Sequence, residues 1–133
     1  MRSLGLDVGD RKIGVALGDP LGMLASPLSI IIRSNESADV EAIINIIDQK
    51  QVGRIIVGLP RSMDGSIGEQ AEKVKAFVRE LCNHTDVPLE FRDERLSTVA
   101  ARRLMHDIGK KGKAEDDAIA AALVLQGYLD EVH

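Results

Sequence analysis

The segment LGLDVGDRKIGVAL, residues 4–17, determines how the rest of the chain is organised. Apolar residues alternate with small or polar ones on both sides of Gly9 and Asp10, a pattern typical of two short strands joined by a tight turn. Asp7 is the exception, because it places a carboxylate in a strand that otherwise looks like core. A buried ionised carboxylate needs a cation, hydrogen bonds or access to water. A bound metal ion would meet that need, so Asp7 is the first candidate site residue.

The composition is that of a single globular domain. At 133 residues the chain can bury a core without disulfide staples, and its 44% hydrophobic and 29% charged residues are ordinary for such a domain. We therefore predict one domain over residues 1–133. Two Phe, one Tyr and no Trp predict an aliphatic core and argue against an aromatic platform for stacked bases.

The cellular location is predicted from cysteine usage and from the absence of targeting patterns. Cys82 is the single cysteine, which excludes an internal disulfide and fits a reducing cytoplasm. Because Cys82 has apolar neighbours in a predicted helix, we expect it to be a small core residue. Apolar runs are too short to cross a membrane, and Met1–Asp10 lacks a signal-peptide pattern. We predict a cytoplasmic protein with no membrane partner.

The charge distribution is uneven. A net charge of −4 argues weakly against a nucleic-acid binder, since phosphate contacts need cations. From Arg92 to Lys113, however, the chain carries seven cations and three acids. An acidic chain can still present one basic face, and the alternative is a solvated helix and loop.

The remaining segments predict alternating strands and helices. We expect a third strand over 24–32, a central parallel strand over 52–59 and a further strand over 88–92. The order is three strands, helix, strand, helix, strand and two helices. It predicts an α/β domain with a mixed five-stranded sheet, in which a three-strand antiparallel meander precedes parallel strands, with helices on both faces. The predicted helices carry the apolar sets Val40, Ile43, Ile44 and Ile47; Ala71, Val74, Val78 and Leu81; Ala100, Leu104 and Ile108; and Ala118, Ala121, Ala122, Leu125 and Leu129.

Three acids lie at the ends of predicted elements. Asp7 ends the first strand, Glu94 follows the strand at 88–92, and Asp117 lies in the first turn of the last helix. Ligands of open α/β sheets bind beyond the carboxyl ends of the strands. Three carboxylates converging there would favour Mg²⁺ or Mn²⁺, whereas the scattered histidines argue against a zinc site or a histidine-based hydrolase.

Each acid also has a structural interpretation. Asp7 can hold its turn through hydrogen bonds to the backbone, and Glu94 can form an exposed ion pair with a neighbouring arginine. Asp117 can simply favour the start of a helix.

Several motifs together resemble one family. They are LGLDVG (4–9), IGVA (13–16), IVGLP (56–60), MDG (63–65), DERLST (93–98) and Asp117 before AALVLQGY (121–128). In this order, and over nearly the whole chain, the sequence is similar to the YqgF/RuvX family. The resemblance implies an RNase H-like fold with an acidic site formed by Asp7, Glu94 and Asp117.

The resemblance also implies a function. Members of the family are described as pre-16S rRNA nucleases or as Holliday junction resolvases. We therefore expect a metal-dependent endonuclease that processes the 5′ end of pre-16S rRNA during ribosome biogenesis, with ribosomal particles as further partners. Cleavage of four-way DNA junctions is the alternative, and a non-catalytic RNA-binding module is another. A nucleotide-binding ATPase of the actin or sugar-kinase type would need a second domain, for which 133 residues leave no room.

Nuclease chemistry explains why these residue types are needed. Two Mg²⁺ or Mn²⁺ ions about 4 Å apart can activate water and stabilise the leaving oxygen, so no histidine base is required. In our hypothesis Asp7 bridges the metals, and Glu94 and Asp117 complete their shells. Sequence-blind phosphate contacts would leave substrate choice to the shape of the nucleic acid, and a monomer or a homodimer is expected, the dimer for a junction resolvase. The candidate phosphate-binding residues are Arg11, Lys12, Arg61, Arg95, Lys110, Lys111 and Lys113.

Overall fold

The computed structural model describes residues 1–60, 68–93 and 116–132. The predicted loop after Pro60 and the predicted helix that contains Ala100 lie outside these ranges. The elements in chain order are the strands β1 (Arg2–Val8), β2 (Lys12–Gly18) and β3 (Ala25–Ile32), helix α1 (Glu36–Lys50), strand β4 (Val52–Leu59), helix α2 (Glu69–Cys82), strand β5 (Leu89–Asp93) and helix α3 (Asp116–Val132).

The strands form one mixed sheet in the order β3-β2-β1-β4-β5. Strands β1, β2 and β3 pair antiparallel, whereas β4 runs parallel to both β1 and β5. This arrangement confirms the predicted α/β architecture. Because β1, β4 and β5 are parallel, their carboxyl ends meet at one edge of the sheet, and the amino end of antiparallel β2 lies at the same edge.

One face of the sheet packs against α1 and α2 through large aliphatic side chains. Asn35 caps α1, since its side chain accepts a hydrogen bond from the backbone N–H of Ala38 at 2.8 Å. The helix is followed by Gln51, whose φ of 55° is the left-handed conformation common at helix ends. The buried cluster on this face joins, among others, Leu4, Leu6, Val8, Ile13, Val15, Val40, Ile43, Ile55, Val74, Phe77 and Leu81.

The opposite face packs against α3 through small residues. A Cβ atom at Gly5 would lie 2.7 Å from the carbonyl oxygen of Ala121 and 2.8 Å from Cβ of Leu125, so only glycine allows the helix to approach so closely here. Buried Gln126 fixes the position of the helix along its axis, because its side chain accepts a hydrogen bond from Ala25 N at 2.9 Å. The cluster on this face contains Ala16, Ala25, Ile56, Ala121, Ala122, Val124, Leu125 and Leu129.

The expectation for Cys82 is wrong. Cys82 is exposed at the last position of α2, immediately after the fully buried Leu81. Successive residues of a helix point about 100° apart, so the residue after a core position is turned away from the core. Within the described ranges, none of the helices combines the length and the apolar character that crossing a bilayer requires.

Candidate active site

Asp7 lies one residue before the carboxyl end of β1, and its side chain belongs to the face of the sheet that α3 covers. Leu6 and Val8 pack into the cluster beneath α1 and α2, whereas Gly5 lies against α3. Side chains alternate between the faces of a strand, so Asp7 points to the same face as Gly5. The residue is half-buried. The strand thus presents a carboxylate at the edge where the parallel strands end.

Gly14 brings the second acid to this position. Gly14 is the antiparallel partner of Asp7, and a Cβ atom there would lie 1.9 Å from the carbonyl oxygen of Asp117 and 2.8 Å from the backbone nitrogen of Ala118. The first turn of α3 therefore rests directly on the backbone of β2. Opposed antiparallel residues have Cα atoms about 5 Å apart, so the Asp117 carbonyl lies within roughly 9 Å of the Asp7 Cα.

Asp117 itself is half-buried and lies one helical turn before Ala121, which is fully buried against the sheet. The structure therefore places the backbones of two of the three predicted acids close to each other. The third acid, Glu94, lies outside the described residues, next in sequence to Asp93 at the end of β5. In the ranges 1–60, 68–93 and 116–132, no group of three or more His, Cys, Asp or Glu side chains is arranged to hold a metal ion.

The turn between β1 and β2 carries exposed cations beside the acids. Gly9 N donates to Lys12 O at 2.9 Å, which closes the turn, and the side chains of Arg11 and Lys12 are exposed. Asp10 forms an exposed ion pair with Lys73 of α2, with a distance of 3.6 Å between Nζ and Oδ1. The other predicted phosphate contacts lie outside the described residues: Arg61, Arg95, Lys110, Lys111 and Lys113.

Arg92 belongs to the stretch with the local cation surplus, but it is not a solvated charge. Its side chain is 12% exposed, and Nη1 lies 2.7 Å from Oε2 of Glu131. Hydrogen bonding and attraction from Arg92 lower the pKa of Glu131 below its usual value. This pair lines a cleft of about 500 Å³ that also includes Arg54 and Glu90. The cleft adjoins the carboxyl-terminal end of α3, whereas Asp117 lies at the amino-terminal end.

Sequence reasoning missed an ion pair behind the turn. Asp39 is 2% exposed, and its Oδ2 atom lies 3.0 Å from Nε of Arg33. Asp39 falls in the first turn of α1, where an acid is ordinarily favourable to the helix dipole. Its spacing of four from the buried Ile43 was the available signal that it faces the interior.

Comparisons with known proteins identify both a family and a fold for this chain. A family model described as "RuvX: Holliday junction resolvase" matches residues 1–131. A protein of Halothermothrix orenii named "Putative pre-16S rRNA nuclease" is 47% identical over 133 residues, which cover 98% of this chain and 95% of that protein. A protein of the same name from Dehalococcoides mccartyi is 50% identical over 127 residues, which cover 95% of this chain and 96% of that protein.

Two solved structures share the architecture at low sequence identity. RuvC of T. thermophilus in complex with a Holliday junction substrate superposes with a TM-score of 0.66 at 14% identity, covering 99% of this chain and 95% of that one. The Holliday junction resolvase of fowlpox virus gives a TM-score of 0.61 at 12% identity, covering 100% of both chains. This likeness concerns the fold, which is the RNase H-like fold that the motifs implied. The family match over residues 1–131, with relatives at 47% and 50% identity, establishes that the chain belongs to the RuvX family.

Proposed function

We propose that the chain is a single-domain endonuclease that hydrolyses phosphodiester bonds of structured nucleic acid with the help of divalent metal ions. The observation that carries the proposal is the seating of α3 on Gly14, directly opposite Asp7. This contact supports the proposal because it places two acidic residues from distant parts of the chain at one edge of the sheet. The relatives named as pre-16S rRNA nucleases support precursor 16S rRNA as the substrate.

The acids suit a hard divalent cation. Asp7 and Asp117 offer only oxygen donors, and both are half-buried, so a metal ion bound there would be partly shielded from water. We propose Glu94 as the third ligand, because it follows the strand that runs parallel to β4 towards the same edge. A bound Mg²⁺ or Mn²⁺ ion would neutralise phosphate charge and lower the pKa of a coordinated water.

The cations of the β1–β2 turn are proposed to hold the substrate backbone. Arg11 and Lys12 are exposed at the edge that carries the acids, where they can contact phosphates on one side of the scissile bond. Such contacts are independent of base sequence, so the shape of the nucleic acid would select the substrate. We assign the same role to the predicted cations Arg61, Arg95, Lys110, Lys111 and Lys113.

A four-way DNA junction is the second candidate substrate. The family model carries the description of a Holliday junction resolvase, and the solved structure of RuvC holds such a junction. A junction has two symmetric strands to cut, so this function would require two copies of the chain related by a twofold axis.

Cleavage assays with matched acid-to-amide variants test the proposal. The substrates are a labelled fragment of precursor 16S rRNA and a labelled four-way DNA junction, each with Mg²⁺, with Mn²⁺ or with a chelator. We expect Asp7→Asn and Asp117→Asn to lower the cleavage rate by at least about 100-fold, since each removes a charge from the metal site. The control is Asp48→Asn, an exposed aspartate of α1, which should cleave like the unaltered protein.

The outcomes separate the candidate functions. Metal-dependent cleavage of the RNA alone supports rRNA processing, and cleavage of the junction alone by a dimer supports the second candidate. Binding of RNA that is indifferent to metal and to both amide variants, without cleavage, would identify a non-catalytic module. Cleavage by Asp7→Asn at the unaltered rate would remove the acidic site from the mechanism.

A further inference from the structure

Arg33 connects three parts of the molecule at the back of the β1–β2 turn. Its Nη1 donates to the carbonyl oxygen of Gly9 at 2.9 Å, and its Nε donates to Oδ2 of Asp39 at 3.0 Å. Its guanidinium carbon lies 4.9 Å from the centre of the Phe77 ring in α2. The planar guanidinium thus contacts a carboxylate, a backbone carbonyl and an aromatic ring at once, which a lysine ammonium cannot reproduce.

The partners of Arg33 are themselves firmly held. Asp39 is almost fully buried, and its Oδ1 accepts a second hydrogen bond from the backbone nitrogen of Ser34 at 3.1 Å. Phe77 is 2% exposed in the cluster between the sheet and the helices α1 and α2. The backbone nitrogen of Arg33 also donates to Arg11 O at 2.9 Å. One residue therefore contacts both ends of the turn and anchors them to the core.

We propose that Arg33 is a positioning residue for the β1–β2 turn. The turn begins two residues after Asp7 and carries the exposed cations Arg11 and Lys12. Held by the bonds from Arg33, the backbone of the turn keeps these two side chains in place before a phosphate arrives. This assignment rests on the proposed function for its effect on nucleic acid, but its effect on the turn does not depend on that function.

The test compares two arginines that have the same kinds of partner, a carboxylate and an aromatic ring. Arg33→Lys keeps a positive charge for Asp39 but loses the simultaneous bond to Gly9 O. The matched control is Arg54→Lys, since Arg54 also pairs with a carboxylate, that of Glu90 at 2.5 Å, and lies 5.9 Å from an aromatic ring, that of Tyr128. These partners of Arg54 belong to β5 and α3 instead of the turn, so its replacement should leave the turn as it is. Melting temperatures of both variants establish that each is folded under the conditions used.

The first readout is amide hydrogen exchange in the turn, which needs no nucleic acid. We expect the Gly9 amide, which donates to Lys12 O, to exchange about tenfold faster in Arg33→Lys than in Arg54→Lys, as the loss of one charge-assisted hydrogen bond implies. Equal exchange at Gly9 in the two variants would overturn the positioning role, whatever the chain binds.

The second readout is affinity for the labelled RNA fragment and the labelled junction. Arg33→Lys should raise the Kd of whichever probe the unaltered protein binds about tenfold, whereas Arg54→Lys should not. In a background of Arg11→Ala and Lys12→Ala, Arg33→Lys should have no further effect, because the side chains that it positions are gone. Fully additive effects would overturn the proposal, since they mean that Arg33 acts by another route. If the unaltered protein binds neither probe, the proposed function fails, while the exchange result still decides the role of Arg33.

Discussion

The two faces of the sheet pack against their helices with side chains of different size. Beneath α1 and α2, large branched side chains such as Ile13, Ile43 and Ile55 fill the space between the layers. Beneath α3, glycine and alanine bring the backbones of helix and sheet into direct contact, at Gly5 and Gly14. The first face removes more apolar surface from water, and the second fixes the distance between two backbones.

Because of this difference, we expect the face with large side chains to contribute mainly to stability and the α3 face to position the candidate site. Asp7 and Asp117 both belong to the face of close backbone contact, where a shift of the helix would move one acid relative to the other. The opposite face carries neither acid and contacts the turn through Arg33, which is paired with Asp39, and through the exposed ion pair of Lys73 with Asp10. Changes on the two faces should therefore differ in kind, one affecting mainly stability and the other both stability and cleavage.

The largest loss of stability is expected on the face with large side chains. Leu81→Ala, at a fully buried position of α2, should lower the free energy of unfolding by about 2–5 kcal/mol, because it removes apolar contacts and leaves a cavity. Chemical denaturation measures this loss. Cleavage per folded molecule should stay unchanged, and the control Leu21→Ala, at a side chain 79% exposed, should change stability by less than about 0.5 kcal/mol. A loss of cleavage in folded Leu81→Ala would contradict the proposal that this face affects mainly stability.

A smaller loss of stability, with a loss of cleavage, is expected at the contact between β2 and α3. Gly14→Ala would place Cβ 1.9 Å from the Asp117 carbonyl oxygen, so the helix must move, at a cost of about 1–3 kcal/mol. The control is Gly18→Ala on the same face of the same strand, where the nearest atom would lie at an ordinary 3.5 Å. Cleavage assays under conditions where both variants are folded should show a defect only in Gly14→Ala. Equal activity of the two variants would mean that the seating of α3 does not set the position of Asp117.

The fold was predictable because local patterns report which face of an element is buried. Leu4, Leu6 and Val8 alternate in the sequence, and in the structure they point to the same cluster. The glycine-framed apolar run that became β4 is covered on both faces, as a parallel strand requires. The acidic site was suggested by the positions of its acids at the ends of elements and by the resemblance to a family.

Contacts between distant segments were not predictable from local patterns. In the sequence, Gly14 is one more small residue in an alternating strand, and nothing nearby indicates that the backbone of Asp117 rests on it. Counting charges treats Arg92 as a solvated cation, because its partner Glu131 belongs to another element. In the sequence Asp39 looks like an ordinary first-turn acid, since its partner Arg33 precedes the helix. Each of these contacts depends on the tertiary arrangement of the elements.

The smallest expected effect concerns the ion pair at the outer end of α3. A Cβ atom at Gly127 would lie 2.9 Å from Nε of Arg92, so the Arg92 guanidinium lies directly against this helix end, where Glu131 pairs with it. Because the pair lowers the pKa of Glu131 in the folded state, its stabilisation is fully present above the usual glutamate value of 4.5. The stabilisation is lost as the pH falls through the lowered pKa, where the carboxylate becomes protonated.

Thermal melts between neutral and acidic pH test whether the carboxyl-terminal end of α3 is held by an ion pair as well as by close packing. Glu131→Gln should melt below the unaltered protein near neutral pH, and the two melting curves should converge at acidic pH, where Glu131 is neutral in both. Glu41→Gln, at an exposed glutamate of α1, is the control for a general change in net charge. A difference that persists at acidic pH would attribute the effect to packing of the Glu131 side chain. Convergence would show that this end of α3 depends on an ion pair, whereas its first turn depends on the absence of a side chain at Gly14.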